Sequence, residues 1–236
     1  MRRFEVKRGR DVVPGVLWLP EDVREPVPLV LIGHGGSGHK LAKRPTELGR
    51  RFAAAGIAAA AIDGPYHGDR VDEPLDASVY QRLMAATGIE AVTDGMVEDW
   101  RATLDELSRL DAVDADRVGY LGFSMGTRFG LPYLAAAGSR LRCAVLGKYG
   151  LRQPDGMPAA IDMGPRFARD APRVTLPLLF HVQWDDERFA RDGQLALFDL
   201  LGSRDKRLIA YSGGHTTTPP EAVTAWCEFI AGRLSR

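Results

Sequence analysis

Apolar positions along this chain fall into two alternating rhythms, and their order predicts a fold. Continuous apolar runs, the mark of strands buried on both faces, occupy residues 28–33, 57–62, 141–146 and 176–182, with shorter ones at 116–121 and 208–211. Between them the spacing changes to that of helices over 42–55, 96–110, 127–138, 189–201 and 220–234. Residues 4–8 and 12–19 read as a strand pair turning at Gly9-Arg10-Asp11. Residues 70–94 are polar with scattered apolar positions, and 148–173 form a long excursion bearing Pro and Gly. Strands alternating with helices predict an α/β architecture: a mostly parallel, twisted sheet of about eight strands, helices on both faces and right-handed crossovers. One domain over 1–236 is expected, with 149–173 as a short lid segment. In such a sheet ligands bind beyond the carboxyl ends of the strands.

Composition narrows the partners. Among 236 residues, 45% are hydrophobic and 26% charged, which supports a large buried core. The formal net charge is zero, which argues against nucleic acid or an anionic membrane as main partner. The absence of asparagine excludes N-glycosylation. Cys143 and Cys227 lie in a predicted strand and a predicted helix, so two buried free thiols are expected rather than a disulfide. No residues show metal-ligand spacing, and neither a metal nor an organic cofactor is implied. The opening Met1-Arg2-Arg3-Phe4-Glu5 is too charged for a signal peptide, and no run is long enough to span a bilayer. A cytoplasmic protein is expected. The oligomeric state stays open, a homodimer included.

Five segments carry the chemistry. Gly122-Phe123-Ser124-Met125-Gly126 stands between a predicted strand and a predicted helix. The others are His34-Gly35-Gly36-Ser37-Gly38, Asp63-Gly64-Pro65-Tyr66-His67-Gly68, Trp184-Asp185-Asp186-Glu187 and Gly213-Gly214-His215, all at predicted strand ends. A Gly-x-Ser-x-Gly that closes a strand and opens a helix holds its serine on a turn too sharp for a Cβ two residues to either side. Serine also needs a base, and a carboxylate to orient that base. Two histidines follow Ser124. His181 lies inside a predicted strand, as a packed core histidine would, whereas His215 follows two glycines in a loop. Asp185, Asp186 and Glu187 are the available carboxylates. The His34 segment is no phosphate loop, because its lysine does not stand where a Walker motif requires it.

Together these segments resemble the α/β-hydrolase superfamily, and within it the dienelactone-hydrolase-like and small serine esterase branch. The resemblance implies Ser124 as nucleophile, His215 as base and Asp186 as acid. Asp186 lies three residues past Gln183, which stands where related proteins usually have glycine. Asp185 is the alternative and is also suited to bonding the loop backbone; Glu187 is expected in the first turn of the next helix. Backbone N–H groups of Met125 and Gly36 are expected to hold an oxyanion, with Gly35 as alternative donor. His34, Asp63 and His67 are expected to order loops. Gly35, Tyr66, Lys148 and Trp184 are expected to border the substrate, with Lys148 meeting either Asp155 or an anionic substrate group. Met157, Ile161, Met163 and Phe167 give the excursion an apolar face, and Pro132 predicts a kink in the helix after Ser124. The implied activity is cleavage of a small carboxylic ester or thioester through an acyl-enzyme. Peptide cleavage, or a lyase or cyclase step, would use the same residues, and a binding module without catalysis is the remaining alternative.

Overall fold

The computed structural model describes residues 1–9 and 11–235, so Arg10, in the expected N-terminal turn, lies outside the described residues. Strands β1 (Arg2–Arg8) and β2 (Asp11–Trp18) pair antiparallel, as their alternation predicts. Next come β3 (Val27–Gly33), α1 (Lys43–Ala54), β4 (Ala58–Ile62), α2 (Ala77–Thr87) and α3 (Ile89–Leu107). Strand β5 (Val113–Phe123) leads into α4 (Met125–Ala137), then β6 (Cys143–Gly147), α5 (Gly164–Asp170) and β7 (Leu178–Gln183). Helix α6 (Arg191–Leu200), β8 (Lys206–Tyr211) and α7 (Pro220–Leu234) complete the described chain. The sheet order is β1-β2-β4-β3-β5-β6-β7-β8, with β2 antiparallel to β4 and every later pair parallel.

Two cores result from the pleat. Alternate strand residues such as Leu29, Leu31, Tyr120 and Leu146 pack with α2 to α6, while Val30, Ile32, Phe123 and Val145 pack with α1 and α7. Four alanines in β4 keep that strand thin, so Phe52 of α1 can lie close to the sheet. Cys143 and Cys227 are both buried and unpaired. Helix α4 stays helical through Pro132, whose missing N–H leaves the Arg128 carbonyl without its usual partner.

The predicted elements need two corrections. Residues 70–94, to which the polar pattern assigns no element, contain α2, and α3 begins at Ile89 rather than at 96. Helix α2 buries only Tyr80 and Met84 along its length, too few to mark a helical period. The two helices meet at Gly88, whose φ of 91° suits glycine and breaks the continuous pattern. The excursion 148–173 also contains α5. Its Phe167, with Ile161 and Met163, is buried against the sheet core, so that apolar face covers the sheet rather than the substrate side.

Candidate active site

Ser124 follows β5 with φ 57° and ψ −118°, outside the regions open to ordinary L-residues. The turn is as tight as the motif requires. A Cβ on Gly122 would lie 2.7 Å from the Gly126 carbonyl oxygen, and one on Gly126 would lie 2.8 Å from that of Gly33. The turn is held from beneath: Ser124 N–H donates to Gly147 O at 3.1 Å, and Gly147 N–H donates to Thr127 Oγ1 at 2.9 Å.

A hydrogen-bonded chain runs from this serine. Its Oγ lies 2.9 Å from His215 Nε2, and His215 Nδ1 lies 2.8 Å from Asp186 Oδ2. The carboxylate can only accept, so the imidazole proton sits on Nδ1 and Nε2 is free to take the serine proton. The other oxygen of Asp186 accepts the N–H groups of Arg188 (2.9 Å) and Phe189 (2.8 Å), which fixes its rotamer. Both His215 and Asp186 are buried.

The three carboxylates divide the work differently from the expectation for one of them. Asp185 accepts from Gly213 N–H at 2.8 Å, bonding the loop backbone. Glu187 is not in a helical turn, since α6 starts at Arg191; its Oε2 accepts His215 N–H at 2.7 Å. That bond, with one from its own backbone N–H, holds its carboxyl below the usual range.

Opposite the serine, His34 orders the glycine loop. Its Nε2 accepts Gly64 N–H at 2.7 Å, so its proton is on Nδ1, which donates to Gly35 O at 2.8 Å. Gly38 N–H donates to the same oxygen at 3.0 Å. In a trans peptide the N–H points opposite to the carbonyl, so these bonds turn Gly36 N–H away from them, at a position lining the cleft. Burial pushes the His34 imidazole down to about 4, which keeps it neutral. His67 bridges Pro65 O (2.7 Å) and Gly36 O (2.9 Å) through its two ring nitrogens. Asp63 is fully buried and accepts from Lys40 Nζ, from Lys40 N–H at 2.9 Å and from Asp69 N–H at 2.8 Å.

The cleft above these groups encloses about 520 Å³. Ser124, Met125, His215, Gly35 and Gly36 line it, together with Tyr80, Tyr149, Met157 and Phe189. Among the described residues no cluster of His, Cys, Asp or Glu could hold a metal ion, and no helix is long and apolar enough to cross a membrane.

The family model for the dienelactone hydrolase family matches residues 13–212. The chain belongs to the dienelactone hydrolase family. It is thus an enzyme of a hydrolase family, with relatives named as esterases. A cold-adapted esterase from an Arctic intertidal metagenomic library, solved in complex with PEG, is 34% identical over 99% of this chain and 91% of its own, with a TM-score of 0.78. A dienelactone hydrolase-like promiscuous phosphotriesterase from metagenomic libraries, P91, shares the fold at 22% identity and TM-score 0.76, over 98% of this chain and 97% of its own. The putative esterase NocK of Nocardia uniformis subsp. tsuyamanensis is 35% identical over 114 residues, 48% of this chain, and that match spans only 29% of NocK.

Two residues of this dienelactone hydrolase family member sit elsewhere than the sequence predicts, and a third meets other partners. Tyr66 is absent from the cleft wall; its hydroxyl lies 2.6 Å from Thr87 Oγ1. Trp184 is 45% exposed outside the cleft, with the Arg191 guanidinium 4.1 Å from its ring centre. Lys148 borders the cleft, but its ammonium reaches neither Asp155 nor open space. It donates to His215 O at 3.2 Å, to Thr217 O, and to Thr218 Oγ1 at 3.3 Å. Arg44, Arg128 and Arg188 line the same cleft and are missing from the predicted set; Arg128 is buried and donates to Ile161 O at 2.6 Å. A lone arginine in a helix carries no pattern that marks it, and only the proximity of Arg128 to Ser124, one helical turn on, could have found it.

Proposed function

We propose that this protein is a serine hydrolase that cleaves small carboxylic esters or thioesters through an acyl-enzyme. The observation that carries the proposal is the chain Ser124–His215–Asp186, with both contacts under 3 Å and the serine opening on the cleft. Ser124 Oγ attacks the acyl carbon while its proton passes to His215 Nε2. The resulting imidazolium is held by Asp186. The N–H groups of Gly36 and Met125, the latter at the first position of α4, supply the oxyanion donors. Collapse expels the alcohol or thiol, which takes the proton from Nε2. Water, deprotonated by the same nitrogen, then attacks the acyl-enzyme, and Ser124 recovers its proton as the acid leaves.

The names of the Arctic esterase and of NocK favour ester substrates over peptides. The cleft volume fits a modest ligand. Arg44, Arg128 and Arg188 line it against the single carboxylate of Asp155, which disfavours cationic substrates. Pro154 to Met157 border the cleft while the rest of the excursion is packed down, so we assign the lid role to that short stretch alone. The two unpaired thiols support a reducing, cytoplasmic setting.

A fluorophosphonate probe tests this reading. Ser124 should be labelled in the native enzyme and not in Ser124→Ala, and p-nitrophenyl acetate or butyrate turnover should fall by at least about 10³-fold in that variant. Full turnover by Ser124→Ala would refute the mechanism. Turnover of aminoacyl amides in preference to esters would move the assignment to a peptidase.

A further inference from the structure

We propose that Lys148 is a positioning residue for the reaction above, its ammonium group holding the loop that carries His215 in register with Ser124. The inference rests on the serine-hydrolase reading and concerns a residue that touches neither substrate nor the reacting atoms. Lys148 directly follows β6, beside Ser124 at the end of β5, and its backbone has φ 50°. A non-glycine residue keeps such a conformation only when its surroundings impose it. Its backbone N–H donates to His181 O at 3.1 Å, which anchors the main chain to β7. The side chain is buried to 1% exposure, and no carboxylate lies within salt-bridge range of it among the described residues.

What the ammonium meets instead is oxygen from a single loop. Its three protons have three acceptors: His215 O, Thr217 O and Thr218 Oγ1. A neutral amine has two N–H donors and a lone pair, so on losing a proton it turns that lone pair toward one of these oxygens. The loop then loses a tie at the residue whose ring must stay 2.9 Å from Ser124 Oγ. The charged and titratable groups facing Lys148 are Arg44 from α1, Asp186 and Glu187 from the loop after β7, and the His181 imidazole of β7. Burial, reinforced by Arg44 and opposed by Asp186 and Glu187, brings the amine down to about 8.

Activity and stability should therefore respond to pH in opposite senses. Between about 8 and the ordinary lysine value the unfolded chain binds the proton more tightly than the native one. Deprotonation there favours the native fold, yet it removes the third tie to the His215 loop. A lysine that served structure alone would not make turnover fall while stability rises.

The experiment compares the native enzyme with Lys148→Met and Lys148→Arg on p-nitrophenyl acetate from pH 6 to 10, with thermal unfolding at each pH. The native enzyme should lose kcat above about pH 8. Lys148→Met should show kcat reduced roughly 10- to 100-fold at pH 7, KM changed by less than about threefold, no alkaline limb near 8, and an unfolding temperature equal to or above the native one. Lys148→Arg, charged throughout, should recover part of kcat and also lack that limb. A Lys148→Met enzyme with native kcat, or one that keeps the alkaline limb, would overturn the role. If Lys148→Met does not fold, a native enzyme or Lys148→Arg variant that decides the limb the other way does the same. Fluorophosphonate labelling of the native enzyme separates the two levels: labelled Ser124 with an unaffected Lys148→Met refutes only the lysine's role, whereas an unlabelled serine refutes the serine-hydrolase reading itself.

Discussion

The Gln183 side chain reaches across to Gly213: its amide nitrogen donates to Gly213 O at 2.9 Å and to Ser212 O at 2.8 Å. Its Oε1 lies 3.0 Å from His181 Nε2, whose ring in turn accepts the Trp226 indole N–H at 3.2 Å. Gln183 thus fastens the end of β7 to Ser212 and Gly213, ahead of His215. Replacing it with alanine would leave the Ser212 carbonyl and the buried His181 Nε2–H without their protein partner. Gln183→Ala should lose about 2–4 kcal/mol in urea unfolding and about tenfold or more in kcat, with the stability loss exceeding any change in KM.

The three neighbouring carboxylates should separate cleanly by kinetics. Asp186→Asn presents an amide to His215 Nδ1 and disturbs its tautomer, so kcat should fall by about 10³–10⁴-fold. Asp185→Ala and Glu187→Gln each remove one backbone tie, at Gly213 and His215, and should cost about tenfold or less. Equal losses at all three positions would show that the loop, and not the imidazole–carboxylate pair, sets the rate.

Two glycines offer a matched test of crowding. Gly122→Ala places a methyl group 2.7 Å from a backbone oxygen that cannot move without opening the Ser124 turn, and should destabilise by roughly 1–3 kcal/mol or more. Gly95→Ala, in the middle of α3 with nothing within 4 Å of the new Cβ, should stabilise by about 0.5–1 kcal/mol. Chemical denaturation of the two variants beside the parent checks both signs.

Acid should weaken the fold through two histidines. Burial pushes both His34 and His181 down to about 4, against 6.5 for a free imidazole. Below 6.5 the unfolded chain takes up these protons and the native one does not, so stability present at neutral pH is lost as pH falls from 6.5 toward 4. Each histidine accounts for a loss of about 3 kcal/mol at the lower end. Unfolding midpoints should drop across that window, and His181→Phe should flatten the drop even if it lowers stability at pH 7.

The sheet was legible because runs such as Leu29 to Ile32 are apolar without interruption, which only a two-sided burial explains. The serine, imidazole and carboxylate segments were legible because each stands beside a strand end, where the fold gathers ligand-binding groups. What stayed hidden depends on distance across the molecule. Lys148 meets carbonyls 67 and 69 residues away, and backbone oxygens leave no trace in composition. Glu187 was misplaced because a carboxylate near a helix start and one bonding a distant N–H look alike in sequence. Helix α3 was partly readable earlier than expected, since Val92, Met96, Trp100 and Leu104 follow a four-residue spacing, but Asp94 and Gly95 interrupt the stripe.

Among the described residues, Tyr66, Ser124 and Lys148 are the non-glycine positions with left-handed φ, at 63°, 57° and 50°. Each geometry costs about 1–2 kcal/mol that glycine would not incur. An engineer seeking heat tolerance would be drawn to all three, yet only Tyr66, turned away from the cleft, can be relaxed freely. At the other two the gain would come at the expense of the hydroxyl or of the amine beside the imidazole loop, so this enzyme's margin for hardening is narrowest where its backbone is least at ease.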